Sequence, residues 1–276
     1  MKRALVTLVV GDAYRRRFAE QAAPTLRAYA KAHGLSLVVL DRLLDDSDLG
    51  RSRSPAWQKC LIFRHPKVAS FDQVLWLDAG IIVNSSAPSA FDDVPVEALA
   101  AVDQFASPSP EAFAAAVVKT RRHLARHGLE APDDATPTRF YENYGYADGP
   151  DRVAQTGVLV LSPEAHAPAL EAAYLERRRE DSRTMLFEMR PLSYHLLREG
   201  GPVRWLDPRF NALWATALVN HYPFLLDAAF MAAFRERPDL LARVKSRCLS
   251  ALFEDSYFLH FAGTADDMRA FRPECP

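Results

Sequence analysis

The sequence predicts an α/β fold: a mostly parallel central sheet flanked by helices, with a Rossmann-like N-terminal half. Two short runs rich in β-branched and leucine residues, Ala4 to Val10 and residues 35–41, bracket a stretch of helical spacing. A third apolar run, "QVLWLDAGIIV" at 73–83, follows a second helical stretch. Strands alternating with helices point to βαβ units and so to parallel pairing.

Each element has a local reason. The first run stops at Gly11-Asp12, and residues 15–33 then put Phe18, Ala22, Leu26, Tyr29 and Ala30 on one side of a helix. Gly34 stands where a C-terminal capping glycine belongs. After the strand "LSLVVLD", the polar run 41–55 predicts a loop, and a helix runs from Ala56 to near Arg64. The third strand is interrupted at Asp78-Ala79-Gly80. Residues 111–127 predict a helix ended by Gly128, and the Pro-, Gly- and aromatic-rich stretch 130–151 a loop that lines a site. "QTGVLVLSP" (155–163) predicts a buried strand, followed by a helix with Pro in its first turn. Further expectations are a helix over 184–199, a short strand and loop in "VRWLDPRFNALW", a helix over 223–247 and a short strand in "SYFLHFAG" at 256–263. Neither an internal repeat nor a low-complexity tract interrupts the order, so the expectation is one domain, 1–276.

Composition narrows the function classes. The chain has 276 residues, 49% hydrophobic and 25% charged, with a net charge of −1. That is ordinary for a globular protein and provides no basic excess for nucleic acid. Cys60, Cys248 and Cys275 are odd in number and lack metal-ligand spacing, which points to a reducing, cytoplasmic setting. No apolar run approaches a membrane span.

Asp78 is the first residue to demand an explanation. A charge inside an apolar strand costs several kcal/mol. At the C-terminal end of a parallel strand, however, a carboxylate stands where such sheets bind ligands. A cap on the following turn explains it equally well.

The succession "VTLVVGDAY", "YAKAHGLSL", "WQKCLIF", "FDQVLWLDAGIIV", "QTGVLVLSP", "FNALW" and "LHFAG" resembles the GT-A glycosyltransferases, in particular the glycogenin-like and galactosyltransferase-type enzymes. The order and spacing of the blocks, over most of the chain, carry the resemblance. It implies a GT-A-like fold in which residues 1–100 bind a nucleotide sugar and 101–276 shape the acceptor site. In that family a strand ends in Asp-x-Asp, and both carboxylates hold a divalent cation, Mn or Mg, against the donor diphosphate. Here Asp78 matches the first position and Gly80 replaces the second, so the motif is degenerate. His260 matches a late histidine that completes the metal shell; a core histidine is the other reading. Lys59 matches a donor-side lysine, with a snorkelling surface lysine as its alternative. Arg15, after the first strand, lies where the nucleotide pocket is expected, although a solvated first turn explains it as well.

Gln155, Thr156 and Gly157 match a sugar-facing block, and Glu188 is the acid nearest the position beside the anomeric carbon. Asn211 matches an asparagine after the last core strand, there for structure or for a sugar contact. The resemblance implies transfer of a sugar, from a UDP-sugar, to a hydroxyl of a glycan or small molecule, with retention and with weak or no metal dependence. The alternative is a catalytically weak nucleotide-sugar- or glycan-binding pseudoenzyme that assists a partner. Other enzyme classes lack their signatures: there is no G-x-G-x-x-G after the first strand, no G-x-S-x-G, and no Gly-rich nucleotidyl-transfer loop.

Overall fold

Apolar residues alternate along the strands so that both faces of the central sheet are buried, as a mostly parallel sheet requires. In the computed structural model, which describes residues 1–129, 134–176 and 187–271, six strands take the order β2-β1-β3-β6-β5-β7. They are β1 (Arg3–Leu8), β2 (Ser36–Leu40), β3 (Gln73–Leu77), β5 (Leu99–Asp103), β6 (Ala154–Leu161) and β7 (Val203–Trp205). Only β6 runs against the rest: β1 pairs parallel with β2 and β3, β5 pairs parallel with β7, and β6 is antiparallel to both β3 and β5. This is the mostly parallel, helix-flanked architecture expected.

One face, with Leu5, Leu75, Leu77, Val102 and Val158, packs on Phe18, Leu26, Tyr29 and a second, three-stranded sheet. The other face, with Val6, Val74, Trp76, Leu159 and Leu161, packs on Trp57, Leu61, Leu170 and Leu192. In chain order the helices are α1 (Asp12–Arg17), continued through a π-helical turn at Phe18–Ala22 into α2 (Ala23–Ala32), then α3 (Asp48–Ser52), a 3-10 helix at Pro55–Arg64, α4 (Pro66–Ala69), α5 (Pro110–Arg126), α6 (Pro137–Glu142), α7 (Pro163–Leu175), α8 (Met189–Glu199), α9 (Trp214–His221), α10 (Ala228–Ala233) and α11 (Pro238–Glu254).

Several expectations change. The third strand does not resume after Gly80. The chain leaves the central sheet there, and β4 (Ile81–Val83) joins the second sheet, in the order β4-β9-β8, with β8 (Ala212–Leu213) and β9 (Phe258–His260). Ile81 and Leu213 both pair with His260 in that sheet, which carries His260 to the end of β3. Strand β5, "LAAVD", escapes sequence reading because alanine has low strand propensity, yet all five of its residues are buried. The 41–55 stretch contains α3, capped by the Ser47 side chain. The single helix expected over 223–247 is a short 3-10 turn, α10 and α11, because Asp227 caps one start and Pro238 opens the next. The start of the helix expected over 184–199 lies outside the described residues; α8 begins at Met189.

Candidate active site

From β1 the chain crosses to β2 on one side and then returns past β1 to β3 on the other. The strand order therefore reverses between β1 and β3, and open α/β sheets bind ligands at that point, beyond the carboxyl ends of the strands. A cleft of about 250 Å³ opens there, lined by Val9 and Val10 after β1, Asp78 to Gly80 after β3, and Lys59, Trp76 and His260, among others.

Two constellations meet at Asp78. The first is ionic. Lys59, on the 3-10 helix and 3% exposed, places Nζ 2.8 Å from Asp78 Oδ1 and 2.8 Å from Glu188 Oε1. Its third hydrogen bond goes to the Thr156 carbonyl at 3.1 Å. All three ammonium hydrogens are thus spoken for. Thr156 Oγ1 donates to the same Glu188 oxygen at 3.1 Å, and the Trp76 indole N–H donates to Asp78 Oδ1 at 2.8 Å. Glu188 stands just before the first residue of α8, where a helix N-terminus favours negative charge. Burial opposes the charge on Asp78, but Lys59, His260 and the Trp76 indole outweigh it and hold the carboxyl below its usual range. Burial also opposes the Lys59 charge, and the Asp78 and Glu188 carboxylates reverse that and push its pKa up.

The second constellation is a chain of amides whose polarity can be derived. The Gly157 backbone N–H can only donate, and it donates to Gln155 Oε1 at 2.8 Å. The Gln155 oxygen therefore faces inward and also accepts from Asn211 Nδ2. Asn211 Oδ1 is left facing His260 Nδ1 at 2.9 Å, so that nitrogen carries the ring proton. His260 Nε2 then keeps a lone pair, and it lies 3.8 Å from Asp78 Oδ2. Burial, reinforced by Lys59 and only partly offset by Asp78, lowers the His260 pKa to about 4, so the ring is neutral near pH 7. Two lone-pair-bearing atoms face each other with no proton between them.

Both glycines at the site answer to His260. A Cβ at Gly157 would fall 2.4 Å from His260 Cε1 and 2.7 Å from Nδ1, so only glycine fits. A Cβ at Gly80 would lie 3.9 Å from His260 Cδ2 and from the Phe261 carbonyl, an ordinary contact. Gly80 leaves room for a side chain; Gly157 does not.

Of the residues singled out from sequence, Asp78, Gly80, Lys59, Glu188, Thr156, Gln155, Gly157, Asn211 and His260 converge here. Arg15 does not: its guanidinium hydrogen-bonds the Asp41 carbonyl at 2.7 Å and pairs with Asp12 at 3.4 Å, away from the cleft lining. Gln155 and Asn211 are buried behind His260 and reach the cleft through it. Trp76 was missed, although a Trp two residues before Asp78 on one strand must share its face. Phe187 was missed too: it lines the cleft with φ at 41°, a left-handed conformation uncommon for a bulky residue.

No family model and no curated protein matches the chain. Solved structures do. A glycosyltransferase involved in glycosylation of the major capsid of PBCV-1 is 13% identical, with 96% of this chain and 97% of that chain covered at a TM-score of 0.49. The galactosyltransferase LgtC, in complex with donor and acceptor sugar analogs, is 15% identical over 96% of this chain and 94% of that one, with a TM-score of 0.42. Mouse xyloside xylosyltransferase 1 is 13% identical over 83% and 94%, with a TM-score of 0.41.

Proposed function

We propose that this chain is a GT-A-type glycosyltransferase that moves a sugar from a UDP-sugar to a hydroxyl of a glycan or small molecule. The observation that carries the reading is the pair formed by the Asp78 carboxylate and the His260 Nε2 lone pair, facing each other at the strand-order reversal. Two acceptor atoms 3.8 Å apart suit one hard cation between them. The Nδ1–H to Asn211 is the outer-shell bond that a metal-binding imidazole ordinarily makes.

Mn or Mg held by Asp78 Oδ2 and His260 Nε2 would supply positive charge against a donor diphosphate. Among the described residues no cluster of three or more metal-ligating side chains exists, and Gly80 adds no ligand. The protein's own hold on a cation is therefore weak, and the diphosphate and water must complete the shell. Lys59 is the only cation among the residues described as lining the cleft, and its hydrogens are committed to Asp78, Glu188 and Thr156. It positions the two carboxylates instead of meeting a phosphate. That favours a transfer that needs the ion while binding it loosely. Glu188, held by Lys59 and Thr156, would face the positive charge that develops at the anomeric carbon. In this reading residues 1–100 take the donor, and 101–276, which carry Glu188, Gln155 and Asn211, shape the acceptor side.

A panel of UDP- and GDP-sugars, assayed for donor hydrolysis with manganese and with EDTA, tests the proposal. Manganese-dependent turnover of a UDP-sugar is expected. Absence of both turnover and any nucleotide-induced thermal shift would overturn it, whereas a thermal shift without turnover would favour the binding pseudoenzyme, for which the missing carboxylate at Gly80 speaks.

A further inference from the structure

Residues 112–129 contain Lys119, Arg121, Arg122 and Arg126, two histidines and no acid, in a chain whose net charge is only −1. They make up most of α5, a helix of 17 residues in which only Ala116 is buried. Its inner side packs on α9. Its outer side bounds a groove of about 420 Å³ whose basic wall includes Arg122, His123 and Arg126 and whose far wall includes Val219, Pro223 and Leu226. The acid at the groove, Asp227, is engaged as a helix cap, with Oδ1 accepting from the Phe230 N–H at 2.8 Å. Arg122 and Arg126 make no ion pair or hydrogen bond among the described residues.

Arg122 and Arg126, two exposed arginines one turn apart, suit an anionic partner, and their apolar neighbours say which kind. Val118 is 48% exposed on α5 and Leu129 57% exposed just beyond it. Val118 lies one turn before Arg122 on the same helix side, and Leu129 follows the turn at His127 and Gly128 that ends the helix, its N–H donating to the Leu124 carbonyl at 3.0 Å. Phe224, in the 3-10 turn Pro223–Leu226, and Met231, on α10, are exposed as well. A nucleic acid would satisfy the arginines and leave these apolar groups in water. A membrane surface takes up both, with phosphates on the guanidinium groups and side chains in the boundary beneath.

We propose that α5 is an interfacial helix that seats the chain on an anionic lipid surface through Arg122, Arg126 and the flanking Val118 and Leu129. This does not rest on the transferase reading, since neither nucleotide nor cation takes part.

The test is co-sedimentation of the full chain with vesicles of phosphatidylcholine alone and of phosphatidylcholine with one-third phosphatidylglycerol. Binding should be roughly tenfold or more tighter on the anionic vesicles and should fall steeply with added salt. Arg122→Glu with Arg126→Glu should abolish the preference, while Arg122→Lys with Arg126→Lys should keep it, and all variants should keep the wild-type melting temperature. Equal partition onto neutral and anionic vesicles, or unchanged binding by the glutamate variant, would overturn the proposal. So would retention of duplex DNA or heparin without vesicle binding.

Discussion

His195, on α8, lies between Glu176 at 2.9 Å and Glu199 at 3.1 Å. His260, at the end of β9, has one carboxylate, Asp78, at 3.8 Å, and an amide oxygen on its other nitrogen. Both rings are near acid, yet they titrate in opposite directions. Both ring nitrogens of His195 face acceptors, so only the imidazolium can donate to both. Burial works against that charge, but the bonds to Glu176 and Glu199 prevail and raise its pKa. At His260 burial prevails, Lys59 adds to it, and the pKa falls to about 4. A nearby carboxylate therefore does not by itself make an imidazolium. Hydrogen-bond polarity and burial decide, and at His260 both leave a bare nitrogen lone pair aimed into the cleft.

Lys59 should matter most to this contrast, because it charges one side of Asp78 and helps keep His260 neutral. Lys59→Met would leave Asp78 and Glu188 without their shared counterion, a loss of about 3–5 kcal/mol for a broken buried pair. Denaturant unfolding measures it; a change within about 1 kcal/mol would show that the cluster is solvated and the derived polarity unnecessary. Next comes Gly157→Ala. Its methyl would collide with the His260 ring, with an overpacking cost of about 1–3 kcal/mol. The same substitution should displace Nε2 and abolish manganese binding, which a loss of stability without loss of metal would contradict.

The two histidines can then be set against each other by pH in the metal-free protein. The raised His195 pKa contributes stability that is fully present below its ordinary value of 6.5 and is lost as pH rises through the folded value. The lowered His260 pKa has the reverse sign: the unfolded chain binds the proton first, so stability is lost as pH falls from about 6.5 towards about 4. Stability profiles of His195→Gln and His260→Gln, each subtracted from wild type, should therefore slope in opposite directions, with a change of about 3 kcal/mol across the His260 window. Parallel slopes would remove the contrast. The smallest effect on stability is expected from Gly80→Asp, about 1 kcal/mol or less, because this half-buried cleft position has room for a side chain and only the like charge of Asp78 opposes the new carboxylate. Its added carboxylate should nevertheless tighten manganese binding by roughly tenfold, since cation affinity follows ligand charge count; unchanged affinity by calorimetry would place the ion elsewhere.

Much of this site was legible before any coordinates. Asp78 stood out as a charge inside an apolar run, while Lys59, Gly157, Glu188 and His260 stood out through the resemblance of their blocks to the GT-A enzymes, and the fold draws those blocks together. The alternation of strands and helices was legible for the same reason. What sequence could not show were relations between distant segments. The switch of β4 into the second sheet depends on its pairing with β9, 177 residues on from Ile81 to Phe258. The commitment of Lys59 to two carboxylates depends on where α8 starts, so an apparent phosphate ligand became a spacer between acids. Arg15 is the converse case: its place after β1 pointed to the cleft, but Asp12 and the Asp41 carbonyl take its guanidinium. Strand β5 was invisible because alanine-rich strands carry neither the propensity nor the period of a strand.

The most direct test is calorimetric titration of UDP into the wild-type chain and into Asp78→Asn, each with manganese and with EDTA. The account predicts that wild type binds UDP with manganese, loses at least tenfold in affinity with EDTA, and that Asp78→Asn, which keeps the side chain's size but removes its charge, binds weakly in both. Equal UDP affinity with and without manganese, or an Asp78→Asn variant that binds as wild type does, would contradict it.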